Sequence, residues 1–136
     1  MRPSRLIFLL LLSGCITLTA PATTGGFRQP DATNHPDLYV WTDTCNVYVI
    51  RDGESAVLID LGDGSVLDHL GDIGVRQVDW VLFTHHHREQ CQGAPKLKGR
   101  NAKVGVPAVE RELFENPSKF RKMNVRLNDP FTIHGT

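Results

Sequence analysis

The sequence predicts a mixed α/β fold, and three observations carry that prediction. β-rich runs open the folded part as a hairpin, and later apolar runs alternate with helical stretches. The connection from Asp60 to Gln77 is 18 residues long, enough for the helical crossover that a parallel strand pair requires. In chain order, Leu38-Tyr39-Val40-Trp41 and Asn46-Val47-Tyr48-Val49-Ile50 are strands, and Arg51-Asp52-Gly53-Glu54 is a hairpin turn. Ala56-Val57-Leu58-Ile59 has no polar break, the pattern of a strand covered on both faces. Asp60 to Ser65 breaks that strand, and Val66, Leu67 and Leu70 give a short helical face before Gly71. Gly62 and Gly64 mark a strand-to-helix turn, because Leu67 stands where a dinucleotide loop needs a third glycine. Val78 to Phe83 is the next strong strand, and Lys103-Val104-Gly105-Val106 is a weaker one. Pro107 suits the first position of a helix with Val109, Leu113 and Phe114 on one face, and Asn116-Pro117 stops it.

The 136 residues suit one modest domain, and a chain 40% hydrophobic and 22% charged is of ordinary globular composition. With 15 basic and 15 acidic side chains, the charge gives no sign of a nucleic-acid binder. The basic stretches Lys96–Lys103 and Lys119–Arg126 carry few aromatics and read as solvated surface.

The N-terminus reads as an export signal. Arg2 and Arg5 precede the apolar run Leu6–Leu12, which rises only about 10 Å as a helix against a bilayer core of roughly 30 Å. Leu12-Ser13-Gly14-Cys15 resembles the bacterial lipobox, whose cysteine is diacylated and becomes the new N-terminus. Cleavage after Ala20 or Ala22, giving a soluble secreted or periplasmic protein, is the alternative. The expected organisation is a signal peptide over 1–14, a flexible tether over 15–37 and a partial domain over 38–136. The protein is then a membrane-anchored lipoprotein of a bacterial envelope. Without Arg2 and Arg5 the mature chain holds 13 basic against 15 acidic residues, a balance of −2. Cys45 and Cys91 would then face an oxidising compartment, where they could pair, stay buried, or in the case of Cys91 approach a metal.

The chemistry concentrates in Thr84-His85-His86-His87-Arg88-Glu89-Gln90-Cys91-Gln92-Gly93, directly after the most hydrophobic strand. Open α/β sheets carry their sites at the carboxyl ends of strands. Residues i and i+2 of extended backbone point the same way, so His85 and His87 can aim two imidazoles at one point. Neutral imidazole is a common ligand of zinc and similar metals.

Over about residues 38–115 the chain resembles the metallo-β-lactamase-fold hydrolases. The resemblance rests on Asn46–Ile50, Val57-Leu58-Ile59-Asp60-Leu61-Gly62 and Val81-Leu82-Phe83-Thr84-His85-His86-His87. It implies the first half of an αββα sandwich, a mixed sheet with helices on one face and a metal centre at its edge. The family motif is Thr-His-x-His-x-Asp-His-x-x-Gly, matched by Thr84, His85, His87 and Gly93, with Glu89 in place of Asp and Gln90 in place of His. By that resemblance His85, His87 and Glu89 are metal ligands and Glu89 and Asp60 the catalytic carboxylates, with Asp60 beneath the metal. Asp60 read from its neighbours alone is equally a cap for the following turn. The glutamate reaches one methylene further than aspartate, and the Gln90 amide is a weak donor beside imidazole. At most one zinc ion is expected. The family draws further ligands from its second half, whereas His134 is the only later histidine here and lies outside any such motif. The expectation is an exported hydrolase of a small-molecule substrate, truncated and weakly active or inactive. A non-catalytic module that keeps the scaffold to bind a partner or metal is the alternative. A sheet face left without its second layer would expose apolar surface and favour self-association.

Overall fold

The computed structural model describes residues 26–116, and the architecture is the mixed sheet that the sequence predicts. Five strands lie in sequence order: β1 (Leu38–Thr42), β2 (Asn46–Asp52), β3 (Ser55–Ile59), β4 (Gln77–Leu82) and β5 (Lys103–Gly105). The first three form an antiparallel meander, and β3–β4 and β4–β5 are parallel. Between β2 and β3, Gly53 takes a left-handed φ of 60° that a two-residue hairpin turn requires. The crossover from β3 to β4 carries α1 (Val66–His69), followed by a 3₁₀ turn over Leu70–Ile73. Val66, Leu67 and Leu70 are buried, as the short helical face requires.

Register sorts the side chains into two faces. Val49, Leu58, Val81 and Val104 run across neighbouring strands as one buried row. That row packs with Val66, Leu67, Leu70, Leu97 and Phe114 into a single core. On the opposite face Tyr48 pairs with Ile59, Ile59 with Leu82, and Ile50 with Val57. Tyr48, Ile50 and Leu82 remain 41%, 46% and 38% exposed, so the described residues cover one face of the sheet. The unbroken apolar runs of β3 and β4 therefore sit half covered among these residues. A register shift opposite Ala56/Val57 leaves Asp79 unpaired between Val78 and Trp80. This bulge lets Val78 and Val81, three residues apart, both face the core.

The sequence misses two elements and misplaces one face. Helix α2 (Arg88–Cys91) and a 3₁₀ turn over Ala94–Leu97 follow β4, where the histidine-rich segment read as plain loop. After Pro107 a 3₁₀ turn over Ala108–Glu110 precedes α3 (Arg111–Glu115). The change of helical pitch rotates Val109 away from Phe114, leaving Val109 94% exposed while Phe114 is buried. Part of the segment assigned to the tether also packs. Arg28 bridges Val40 on the sheet edge, and the Phe27 ring contacts Tyr39 and Trp41 at centroid distances of 6.0 and 5.2 Å. One aromatic and one backbone bridge suffice to dock a stretch whose composition looks unstructured. The signal peptide, Cys15 and His134 lie outside the described residues.

Candidate functional site

The parallel half of the sheet builds the site at its carboxyl edge. Backbone bonds continue past the strands, from Asp60 N to Leu82 O at 2.9 Å and from Phe83 N to Gly105 O at 2.9 Å. They place Asp60 beside Thr84. Asp60 is the one buried charged residue of the described core, and its φ of 60° is a left-handed conformation that aspartate tolerates better than most side chains. Its Oδ1 accepts from Thr84 N at 2.8 Å and from Thr84 Oγ1 at 3.0 Å, while Oδ2 lies 2.8 Å from the same hydroxyl. The hydroxyl has one proton, and the carboxylate takes it. Thr84 Oγ1 then accepts from His85 Nδ1, 2.9 Å away, which fixes the His85 tautomer and leaves Nε2 as its free lone pair. Asp60 thus both anchors the turn and orients the first histidine of the motif.

His85 and His87 do converge, with ring centroids 4.5 Å apart. His86 turns aside, as alternation in extended backbone predicts. Its backbone N and its Nδ1 both donate to Glu110 Oε2, at 2.8 and 2.9 Å. The His86 side chain holds the Glu110 carboxyl below its ordinary range despite the opposing effect of burial, and the His86 backbone N–H adds to the lowering. Glu110 is a site residue that sequence reasoning missed, for it sits 24 positions from His86 with no motif around it.

Glu89 lies in the first turn of α2, its Oε1 3.8 Å from His87 Nδ1, and both side chains are half exposed. Gln90 contributes its backbone oxygen, which accepts from Leu61 N at 2.9 Å and Gly62 N at 3.1 Å. Its Oε1 is buried with no hydrogen-bond partner among the described residues. Gly93 closes the motif for a steric reason. A Cβ there would fall 2.5 Å from Gly64 Cα and 2.6 Å from the Asp63 carbonyl carbon. Only glycine lets the end of α2 lie on the Gly62–Gly64 turn, where Gly93 N donates to Gly62 O at 2.8 Å.

Cys45 and Cys91 are free thiols. Burial, then the charges of Asp43 and Asp60, pushes Cys45 up to about 11; burial, then Asp60 and Glu89, pushes Cys91 up to about 12. Neither is a ready thiolate for a metal near neutral pH. Imidazole and carboxylate are donors that zinc favours, but a catalytic zinc takes three protein ligands. Among the described residues no group of three or more His, Cys, Asp or Glu is placed to hold a metal ion. The described residues therefore do not form a zinc site by themselves. They present two oriented imidazoles with a carboxylate nearby.

Comparison with known proteins agrees with this geometry. The chain is 37% identical over 86 residues to a hydroxyacylglutathione hydrolase from Stenotrophomonas maltophilia (strain R551-3), covering 62% of this chain and 31% of that protein. Its fold is similar to that of a Cronobacter sakazakii metallo-beta-lactamase with a HARLDQ motif, at a TM-score of 0.58 and 18% identity. That match covers 72% of this chain and 43% of the other. The metallo-beta-lactamase MIM-1 from Novosphingobium pentaromativorans matches at a TM-score of 0.53 and 20% identity, covering 59% of this chain and 32% of that one. The chain thus spans about a third of the curated relative and less than half of these structures. Members of the superfamily typically bind zinc. With the family profile matching residues 40–134, from the first strand of this sheet through its histidine edge, the chain belongs to the metallo-beta-lactamase superfamily.

Proposed function

We propose that this chain supplies the first part of an exported metal-dependent hydrolase, with His85 and His87 as its share of the metal ligands and Glu89 beside them. The observation that carries the reading is the Asp60–Thr84–His85 relay, which leaves His85 Nε2 free and sets the ring against His87. Zinc would supply the polarising charge of a hydrolytic centre when bound. The chain's own residues hold the imidazole tautomer and place a carboxylate within reach. The relative's name makes an acyl-glutathione a reasoned first probe of substrate, with a simple ester and a β-lactam as alternatives.

Zinc titration calorimetry on the wild type and on the His85→Ala/His87→Ala variant tests the reading. The expected result is weak binding of at most one ion to the wild type and none to the variant. Identical traces overturn it. Hydrolysis of the three probes by this chain is expected near background, because two imidazoles are not a complete catalytic ligand set. Anchoring is a separate part of the proposal: Cys15→Ala should release the protein from membranes, because two acyl chains on one cysteine anchor stably. A soluble wild type starting at Pro21 or Thr23 overturns the lipoprotein reading.

A further inference from the structure

We infer that Glu110 is a positioning residue for the two converging imidazoles: by holding His86 it fixes one of the two rings that set His87. The His87 ring makes no hydrogen bond among the described residues, for Glu89 Oε1 stands 3.8 Å from its Nδ1, beyond hydrogen-bond range. Two other rings touch it instead. The His85 ring meets it at a centroid distance of 4.5 Å and an interplanar angle of 73°, and the His86 ring at 5.3 Å and 75°. Such edge-on contacts are worth only about 1 kcal/mol, so they orient His87 only where the flanking rings are themselves held. Both are held. His85 is tied through Thr84 to Asp60. His86 is tied to Glu110, whose Oε2 accepts from its backbone N at 2.8 Å and from its Nδ1 at 2.9 Å. Two donors of one residue on a single acceptor fix its side-chain torsion as well as its chain direction.

The fold brings Glu110 there from beyond β5. Phe83 N donates to Gly105 O at 2.9 Å, so the chain leaves β5 beside the start of the histidine segment, and the turn Ala108–Glu110 returns the carboxylate to His86. The neighbours of β4 in the sheet are β3 and β5, and a carboxylate following each holds the segment that continues β4. The His86 and Glu110 side chains are 22% and 25% exposed, against 55% for His87, so the pair is sheltered where the ring it supports is open to solvent. The consequence for metal rests on the proposed function: an ion meeting a ring already in place need not order it, so loss of Glu110 should weaken zinc binding by about tenfold. The ring arrangement itself does not rest on that reading.

Imidazole nitrogen and ring-proton NMR spectra of the full, metal-free chain test the arrangement at about pH 8, where imidazole is neutral. In the wild type His86 should carry its proton on Nδ1, and cross-relaxation should join the His87 ring to those of His86 and His85. Glu110→Ala should give a mixture of His86 tautomers and shift the His87 ring signals. Glu110→Gln, whose amide oxygen can accept the same two bonds, should largely restore both. Asp37→Ala, which removes the pair with Arg51 instead, should leave the His87 signals in place and so separates positioning from a general loss of stability. Unmoved His87 signals in Glu110→Ala overturn the inference. So does a wild type without the two ring contacts, a result that needs no variant to fold. Zinc titration calorimetry is the second readout, with binding about tenfold weaker in Glu110→Ala and recovered in Glu110→Gln. Equal affinity in the wild type and Glu110→Ala overturns the positioning role, whereas a wild type that binds no zinc overturns the proposed function and leaves the ring spectra to decide this inference.

Discussion

Asp60 and Glu110 each hold the histidine segment through one carboxylate, Asp60 at Thr84 and Glu110 at His86, and they differ in how far the sequence shows them. Asp60 stands at the end of an apolar strand before Leu61-Gly62, so its position was visible, while its grip on Thr84 needed the parallel pairing of β3 and β4. Glu110 had no sequence signal at all. It accepts two hydrogen bonds from His86 in a half-covered setting, so Glu110→Ala should cost about 1 kcal/mol. Its carboxyl lies below the ordinary value of 4.5, chiefly through the His86 side chain. A carboxyl depressed on folding stabilises above its unfolded value and loses that contribution as pH falls through the folded one. Urea unfolding should therefore show the full gap between wild type and Glu110→Ala above about pH 5, closing in more acid solution. A gap that widens in acid contradicts the assignment. Gln90 differs again: its orphaned Oε1 costs desolvation, so Gln90→Met should leave stability unchanged or raise it by up to about 1 kcal/mol in the same assay.

At the scale of elements, α2 is held by what precedes and follows it rather than by its own length. Four residues make no stable helix alone. Its carbonyl at Gln90 receives two amides from the turn after β3, and Gly93 lies directly on Gly62–Gly64. Gly93→Ala should therefore destabilise the fold by about 2–3 kcal/mol or more, with circular dichroism thermal melts as the measure, because backbone on both sides must give way. Gly71→Ala, where a Cβ meets nothing, is the control and should cost far less. The family motif made Gly93 recognisable, but its reason is a contact across 29 residues. The same limit hid the bulge at Asp79. An unbroken apolar run states that a strand is buried and not where its alternation slips, since both choices keep hydrophobic residues inside. The shifted face of Val109 has a similar cause, because Pro107 marks where a helix starts and not its pitch.

At the scale of the whole molecule, the sheet face that the described residues leave uncovered is expected to govern behaviour in solution. Tyr48, Ile50 and Leu82 form, with Val57, Ile59 and Trp80, an apolar surface on the order of a few hundred Å², near the upper range for soluble monomers. At roughly 25 cal/mol per Å², covering it is worth several kcal/mol. Sedimentation of the chain should show concentration-dependent self-association, which Ile50→Lys with Leu82→Lys should abolish by placing ammonium groups on both ends of the patch. A wild type that stays monomeric at high concentration contradicts this. The sequence by itself determined the fold class, the five strands along the chain, the first hairpin, the crossover helix and the pairing of His85 with His87 on one side of extended backbone. Each follows from periodicity, chain length between elements or alternation along extended backbone, all local properties. Only the tertiary structure decided which face is covered, how Asp60 sets the tautomer of His85, and that Glu110 holds His86. Those depend on residues brought together by the parallel crossover, and contacts between distant positions leave no periodic trace in a single chain.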